Sequence, residues 1–200
     1  MAAAVLNDKL VSHPGASYGG LIYKQNLKLE QIIEIKKIIF EQSINRNIKK
    51  LEFRFPYSII SKNYFDKFKY TISSNTHKVY REISQFIDLD NLDKNQYSTN
   101  FVRILKKNKN LHTKLSTNKD DISSFYKILE KNLLRHDTKP THTLEELVYL
   151  IENLDNCKLF LTIDEKDIIV SGTFVIELTK NTAHTFYLCS DYRFINKSPL

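Results

Sequence analysis

The chain has 200 residues, of which 42% are hydrophobic and 26% charged, and its formal net charge is +7. This length allows one large domain or two small ones with a buried core, and the composition is that of a globular protein. No apolar run approaches the roughly 20 residues of a membrane-spanning helix, and the first residues lack the pattern of a secretory signal. We therefore predict a cytoplasmic protein without a transmembrane segment, whose positive charge suits an anionic partner such as a nucleotide, a phosphorylated carrier or RNA.

The first half of the chain alternates between predicted strands and helices. Residues 5–11 and 21–24 are predicted to be short strands joined by a glycine-bearing loop, and residues 29–44 have the apolar spacing of an amphipathic helix. Residues 51–55 alternate between apolar and charged side chains, which predicts a strand that Pro56 ends. A short amphipathic stretch at 64–70 follows, and then another predicted strand at 79–89.

The second half begins after a polar, turn-rich stretch at residues 88–98, which we interpret as the joint between two structural units. A capping box at Thr143 and Glu146 marks the start of a helix there, because each side chain can bind the other residue's backbone N–H. The predicted elements are helices at 99–108, 122–134 and 144–154, a strand at 111–115, and a three-stranded meander at 158–163, 168–178 and 183–189. Together with the first half, this order predicts a mixed α/β (α+β) fold.

Glycines are rare in this chain and concentrated in one place. Three of the four glycines lie within residues 12–20, which indicates a specialised loop, because glycine permits positive φ and close approach to the backbone. His13, Ser17 and Tyr18 add a possible base and hydroxyl donors. The alternative is a wide hairpin in which the glycines only make the turn. The segment fits neither a phosphate-binding Walker loop nor the dinucleotide fingerprint.

Residues 135–143 are the second concentration of polar side chains, with two of the six histidines beside a helix N-terminus. They predict either an anion site or an interhelical loop with caps, and both interpretations stay open.

Three further features of the sequence carry predictions of their own. The basic cluster at residues 106–109 is either a solvated helix end or an anion site. Gly172, within a predicted strand, indicates a β-bulge, a place where a ligand approaches the backbone closely, or a position where a bulky neighbouring side chain needs space. Cys157 and Cys189 are predicted to be buried free thiols rather than nucleophiles or metal ligands.

Several segments occur in this order along nearly the whole chain: Ser12-His-Pro-Gly-Ala-Ser-Tyr-Gly-Gly-Leu21, Phe55-Pro-Tyr57, Leu134-Arg-His136 with Pro140-Thr-His-Thr143-Leu-Glu-Glu-Leu147, Val170-Ser-Gly-Thr173 and Ala183-His-Thr-Phe-Tyr187. Taken together, they resemble the FemAB-like branch of the GNAT acyltransferase superfamily. The similarity is greatest to bacterial members associated with cell-surface polysaccharide or peptidoglycan synthesis.

The resemblance implies two GNAT-like units in tandem. Residues 1–90 would form the later part of the first unit and residues 91–200 the earlier part of the second, so both units are expected to be partial. Ordinary GNAT enzymes place a glycine-rich, pyrophosphate-binding turn in the closing part of the unit. No glycine follows Cys189 in this chain.

The resemblance also implies the reaction. An acyl or aminoacyl group would pass directly from an activated donor to an amine of a cell-surface polysaccharide or peptidoglycan precursor. Such a transfer depends on alignment and a polarised carbonyl more than on a protein nucleophile. The donor would be an acyl-CoA, an acyl-carrier or an aminoacyl-tRNA, and we expect no permanently bound cofactor and no metal. His13 and Tyr18 are the predicted catalytic residues, at the acceptor side; the predicted substrate-binding residues are Ser12, Gly19, Gly20, Tyr57, Arg135, His136 and His142.

Two other functions fit the same sequence. A non-catalytic module derived from this fold would hold a glycan or a nucleotide-sugar in the loop at residues 12–20. An RNA-binding protein would show strongly salt-dependent binding to tRNA. We rank RNA binding last because aromatic residues do not interleave with the basic cluster in a stacking pattern.

Overall fold

The computed structural model describes residues 2–24, 26–61, 64–74, 79–80, 83–93, 95 and 97–197. Its secondary structure is mixed α+β, as the sequence predicts. The chain divides into two compact units, Met1–Gln85 and Phe86–Leu200. Within the described ranges, every helix is too short or too polar to cross a membrane.

The first unit is built on a three-stranded sheet with the order β1-β2-β3. Strands β1 (Ala3–Leu6) and β2 (Lys9–Ser12) pair antiparallel, and β3 (Lys50–Glu52) pairs parallel to β2. The single strand predicted at residues 5–11 is therefore wrong: Asn7 adopts a φ of 57° and turns the chain into a hairpin. Asparagine tolerates this left-handed conformation because its short polar side chain can bond the local backbone.

Helices of the first unit cover a small core rich in aromatic residues. Helix α1 (Leu29–Asn45) confirms the predicted amphipathic helix, and α2 (Ser58–Ser61) and α3 (Asp66–Ser73) follow β3. The buried core residues are Leu21, Ile32 and Phe68, with half-buried neighbours that include Tyr23, Phe53 and Phe55.

Two further predicted strands of this region are absent from the described residues. Residues 21–24 have no regular structure, because Leu21 enters the core and the Tyr23 N–H donates to the Tyr64 hydroxyl instead of to a strand. Residues 79–80 and 83–89 have no regular secondary structure, with Ile83 96% exposed; residues 81 and 82 of that predicted strand lie outside the described residues. β-branched and aromatic residues favour a strand only where a paired, half-buried surface exists for them.

The second unit contains a four-stranded antiparallel sheet with the order β4-β5-β6-β7. The predicted meander is confirmed, and the strand predicted near residue 112 joins its edge. The strands are β4 (His112–Leu115), β5 (Cys157–Ile163), β6 (Ile169–Thr179) and β7 (Thr182–Ser190); the helices are α4 (Thr99–Lys107), α5 (Lys119–Leu134) and α6 (Leu144–Asn153), with a 3₁₀-helix at Tyr192–Lys197.

The core of the second unit lies between this sheet and helices α5 and α6. Phe125 of α5, Leu147 of α6 and Phe174 of β6 are each 0% exposed. The predicted capping box at the start of α6 is confirmed: the Glu146 N–H donates to Thr143 Oγ at 3.2 Å, and the Thr143 N–H donates to Glu146 Oε2 at 2.8 Å. These bonds satisfy N–H groups that the first turn of a helix leaves unpaired.

Gly172 in β6 makes room for a bulky neighbour. A Cβ atom at this position would lie 2.5 Å from Cδ2 of Phe125 and 2.9 Å from Cδ2 of Leu161. The β-bulges of this sheet fall elsewhere, between Thr162 and Ile163 and beyond Phe174. Of the interpretations that the sequence left open, the packing role is the one that the structure supports.

Candidate functional site

The loop at residues 12–20 connects β2 to the core of the first unit rather than to a second strand. Its backbone adopts positive φ at His13 (51°), Gly15 (86°) and Gly20 (132°). The His13 N–H donates to the Ala2 carbonyl at 3.0 Å, and the Gly19 N–H donates to the Arg54 carbonyl at 2.6 Å. The loop is therefore tied at both ends to the backbone around the sheet.

Ser12 is the buried centre of the loop, with 2% of its surface exposed. The Gly20 N–H donates to Ser12 Oγ at 2.6 Å, and the same oxygen lies 2.8 Å from Nδ1 of His13. Because Oγ accepts from Gly20, its own proton is available for Nδ1. A neutral His13 that accepts at Nδ1 carries its ring proton on Nε2 and offers that N–H as a donor.

Two glycines let the loop fold tightly over this pair of side chains. A Cβ atom on Gly19 would lie 2.7 Å from Ser12 Oγ and 2.8 Å from His13 Nδ1. Gly20 has left-handed φ, and a Cβ there would lie 3.1 Å from the rings of Phe55 and Phe65. The close approach that the sequence predicts at these glycines is an approach of the protein's own side chains.

Tyr18 and Tyr57, two of the predicted site residues, lie together. Their ring centroids are 5.2 Å apart in an edge-on arrangement with an interplanar angle of 72°, a geometry that aromatic pairs favour. Both side chains are half-buried. They form an aromatic pair within the first unit, where His13 also lies.

A cavity of about 150 Å³ opens beside the loop. Its lining includes Ser12, His13 and Gly15 from the loop, together with Lys9 of β2 and Glu52 and Arg54 at β3. Strands β2 and β3 pair in parallel with Val11 opposite Glu52, and this register brings side chains that are distant in sequence to one cavity.

Glu52 holds two cations at this cavity. Lys9 Nζ lies 2.6 Å from Glu52 Oε2, and Arg54 binds Oε1 through one terminal nitrogen at 2.9 Å and Nε at 3.0 Å. The hydrogen bond from Lys9, followed by that from Arg54, lowers the pKa of the Glu52 carboxyl. Sequence reasoning missed these three residues. For two of them the signal was the alternation of charged and apolar residues in Glu52-Phe-Arg54.

In the second unit, His142 is held by Tyr187. The Tyr187 hydroxyl lies 2.9 Å from His142 Nδ1 and accepts the backbone N–H groups of Thr141 at 3.0 Å and His142 at 3.2 Å. Tyr187 is 8% exposed, so its hydroxyl is a buried support for the loop before α6. The N–H groups of residues 141, 142, 143 and 146 are thus bonded within the protein.

Arg135 and His136 lie where helix α5 ends. The Arg135 guanidinium stacks 3.2 Å above the ring of Tyr192, and both Arg135 and His136 are exposed. Asp137 has φ 52°, and the Thr138 N–H donates to the Leu133 carbonyl at 3.2 Å, the six-to-one bond of a Schellman motif. For this loop, the interpretation as a capped interhelical connection is the one that the hydrogen bonds support.

The two cysteines are buried and free. Burial raises the pKa of the Cys157 thiol and raises that of Cys189 to about 12. A thiol with a raised pKa is a poor nucleophile at neutral pH because little thiolate is present. Across the described ranges, no group of three or more His, Cys, Asp or Glu side chains is arranged to hold a metal ion.

Comparison with known proteins gives no assignment. No protein-family model matches this sequence, and none of the curated proteins matches it.

Proposed function

We propose that the protein is an N-acyltransferase that moves an acyl or aminoacyl group from an activated donor to an amine of a cell-surface polysaccharide or peptidoglycan precursor. The observation that carries the proposal is the Ser12–His13 pair, which holds an imidazole in position at a cavity. Ser12 is buried between Gly20 and His13. The buried thiols of Cys157 and Cys189 are poor nucleophiles at neutral pH.

Such a site fits direct transfer rather than a covalent protein intermediate. In direct transfer the acceptor amine attacks the carbonyl carbon of the donor, a C–N bond forms, and the C–S or C–O bond to the leaving group breaks. The amine loses a proton to solvent or a base, and the leaving group departs as a thiolate or alkoxide that is then protonated. The protein contributes position and donors to oxygen, which is the role that the Nε2–H of His13 can perform.

The order of elements in the second unit supports the same proposal. A strand, two helices and a three-stranded antiparallel meander follow one another from β4 to β7. The resemblance assigns this part of the chain, residues 91–200, to the second GNAT-like unit. Free, buried cysteines suit a reducing compartment, which agrees with the cytoplasmic location that we propose.

The experiment is an acyl-transfer assay with the full chain. Acetyl-CoA and aminoacyl-tRNA serve in turn as donors and glucosamine as the amine, and the acylated product is followed by mass spectrometry. We expect His13→Ala and Tyr18→Phe each to lower kcat/KM by about tenfold, the worth of one hydrogen bond. Turnover that is unchanged in both variants, at an unchanged Tm, would contradict the proposal.

Two further variants, one at a control histidine and one conservative at His13, test whether the effect on turnover is specific to the His13 imidazole. His112→Gln removes an exposed imidazole from β4 in the second unit and should leave kcat/KM unchanged. His13→Gln places an amide N–H near the position of Nε2 and should retain more activity than His13→Ala. Equal losses in the two His13 variants would contradict the role of the Nε2–H donor.

The alternative function is a non-catalytic module that binds a glycan or nucleotide-sugar. The half-buried pair Tyr18–Tyr57 favours it, because aromatic faces pack against the apolar side of sugar rings. Saturable binding of glucosamine, together with no binding of either donor and no product, would replace the acyltransferase proposal with this one.

A further inference from the structure

The cavity of the first unit carries more positive than negative charge. Its lining includes the cations Lys9 and Arg54, and among the described residues Glu52 is the one acid that lines it. One carboxylate cannot neutralise two cations, so one positive charge remains. His13 adds an imidazole to the same lining.

The hydrogen-bonding capacity of Lys9 and Arg54 also favours a negatively charged ligand. Arg54 has five N–H donors, of which Nε–H donates to Glu52 while a terminal nitrogen forms an ion pair with the same oxygen; Lys9 has three donors, of which one binds Glu52. Within the described part of the chain, Glu52 is their side-chain partner, and both oxygens of its carboxylate are engaged. The remaining donors are open to solvent, since the side chains of Arg54 and Lys9 are 61% and 37% exposed, and a ligand with acceptor oxygens and negative charge suits them.

The size of the cavity limits what can enter. The volume of the cavity is about 150 Å³. A single phosphate or carboxylate group fits such a space, whereas sites for whole drug-sized ligands occupy about 300–1,000 Å³. The remainder of any larger ligand must lie outside the cavity.

We propose that the cavity lined by Lys9, Arg54 and His13 is a subsite for an oxyanion group, a phosphate or a carboxylate, of the acceptor molecule. Glu52 positions the two cations with one on each of its oxygens, and the planar guanidinium of Arg54 binds two oxygens of the ligand. The proposal rests on the proposed function only in calling the ligand the acceptor. The oxyanion subsite itself can be tested without any donor.

The test is a binding titration of the ¹⁵N-labelled full chain, observed at the His13 ring and at Arg54 Nε–H. Inorganic phosphate and acetate are the two probes, at constant ionic strength, and they separate a phosphate source from a carboxylate source. We expect saturable shifts with at least one probe, at millimolar concentration, and weaker binding when salt is raised. Shifts that do not saturate with either probe would overturn the proposal.

Two variants decide whether the cavity is the place of binding. Arg54→Gln should lower the affinity for the tighter-binding probe by at least about tenfold, measured from the His13 shifts. Arg54→Lys should lower it by an intermediate factor, because lysine keeps the charge but lacks the planar guanidinium. Lys49→Gln is the matched control: it removes an exposed cation of the same unit that pairs with Asp8. Equal affinity in Arg54→Gln and wild type would overturn the subsite.

Glucosamine 6-phosphate and glucosamine then connect the subsite to the acceptor. We expect the phosphate ester to bind at least about tenfold more tightly than the neutral sugar, and equal affinities would overturn the proposal for the acceptor. These measurements contain no acyl donor, so an absence of turnover leaves them interpretable. Conversely, if the protein turns over and Arg54→Gln does not change the KM for the acceptor, the subsite proposal is contradicted and the acyltransferase proposal stands.

Discussion

Ser12 Oγ lies 2.8 Å from Nδ1 of His13 and accepts the Gly20 N–H at 2.6 Å, so a single buried hydroxyl joins the two ends of the loop to its histidine. The same arrangement occurs in the second unit, where the Tyr187 hydroxyl accepts backbone N–H groups and lies beside His142 Nδ1. In both cases the hydroxyl oxygen accepts a backbone N–H, and the hydroxyl proton can be donated to the ring nitrogen Nδ1. Donation of that proton to Nδ1 would favour the Nε2–H tautomer of each histidine.

Replacing Ser12 by Ala should release His13 from this tautomer. The substitution removes the proton donor to Nδ1 and leaves the buried Gly20 N–H without its short hydrogen bond, since Nδ1 of His13 lies 3.4 Å from that nitrogen. We expect the free energy of unfolding to fall by about 1–3 kcal/mol. We also expect the long-range ¹⁵N correlations of His13 to show a mixture of tautomers. Ser17→Ala, at an exposed position of the same loop, should change neither quantity; an unaltered His13 pattern in Ser12→Ala would refute the assignment.

Gly19→Ala should disturb the same pair from the backbone side. Its new methyl group would lie 2.7 Å from Ser12 Oγ, which forces the loop to move and costs about 1–3 kcal/mol. The comparison is Gly15→Ala, where a Cβ meets nothing within 4 Å but a φ of +86° adds strain of about 1–2 kcal/mol. Both variants lose stability, yet we expect only Gly19→Ala to alter the His13 correlations. Identical His13 spectra in the two variants would count against the steric argument.

The helices of this chain could be predicted from sequence because their signals are local. The apolar spacing of α1 and the Thr143–Glu146 box at α6 depend on residues three or four positions apart, and both are observed. The strand predictions at residues 5–11 and 21–24 were wrong because a strand depends on a partner. Asn7 turns the first segment into a hairpin, and in the second Tyr23 bonds Tyr64, which lies 41 residues away.

The candidate site was predictable in part for the same reason. The glycines and His13 are contiguous and rare, so the loop could be recognised from composition. The burial of Ser12 could not, and neither could the ion pair between Lys9 and Glu52, which are 43 residues apart and meet through the parallel pairing of β2 with β3. Composition predicted a polar site at residues 135–143, and several backbone N–H groups of this segment are bonded within the protein at the ends of α5 and α6.

Gly172→Ala should overpack the core of the second unit. A methyl group 2.5 Å from Cδ2 of Phe125 cannot be accommodated unless the ring moves, and such overpacking costs about 1–3 kcal/mol. If the ring is the obstacle, Phe125→Leu should relieve part of the cost. Urea unfolding of the two single variants and the double variant then yields a coupling of about 0.5–3 kcal/mol in the favourable direction. Strict additivity would show that the clash is with another group.

Tyr187→Phe should loosen the segment before α6. The hydroxyl that is lost accepts N–H groups from Thr141 and His142 and faces His142 Nδ1. We expect a loss of about 1–3 kcal/mol in the free energy of unfolding and faster amide hydrogen exchange at residues 141 and 142. Tyr149→Phe removes a hydroxyl from a side chain that is 63% exposed and should be neutral. Unchanged exchange at both amides in Tyr187→Phe would contradict the proposed support.

Glu52→Gln should reduce the change in the free energy of unfolding that occurs when the pH is lowered into the acidic range. Lys9, and then Arg54, lower the pKa of the Glu52 carboxyl below its ordinary value of 4.5. The stabilisation from this lowered pKa is present above 4.5 and is lost as the pH falls through the folded-state value, because protonation removes the charge that both cations bind. The free energies of unfolding of wild type and Glu52→Gln should therefore differ most at neutral pH and converge as the pH falls below the folded-state pKa of Glu52. Urea titrations between pH 7 and about pH 3 measure this, with Glu41→Gln on the exposed face of α1 as the control. A difference that stays constant over the whole range would show that the ion pairs do not contribute through the charge of Glu52.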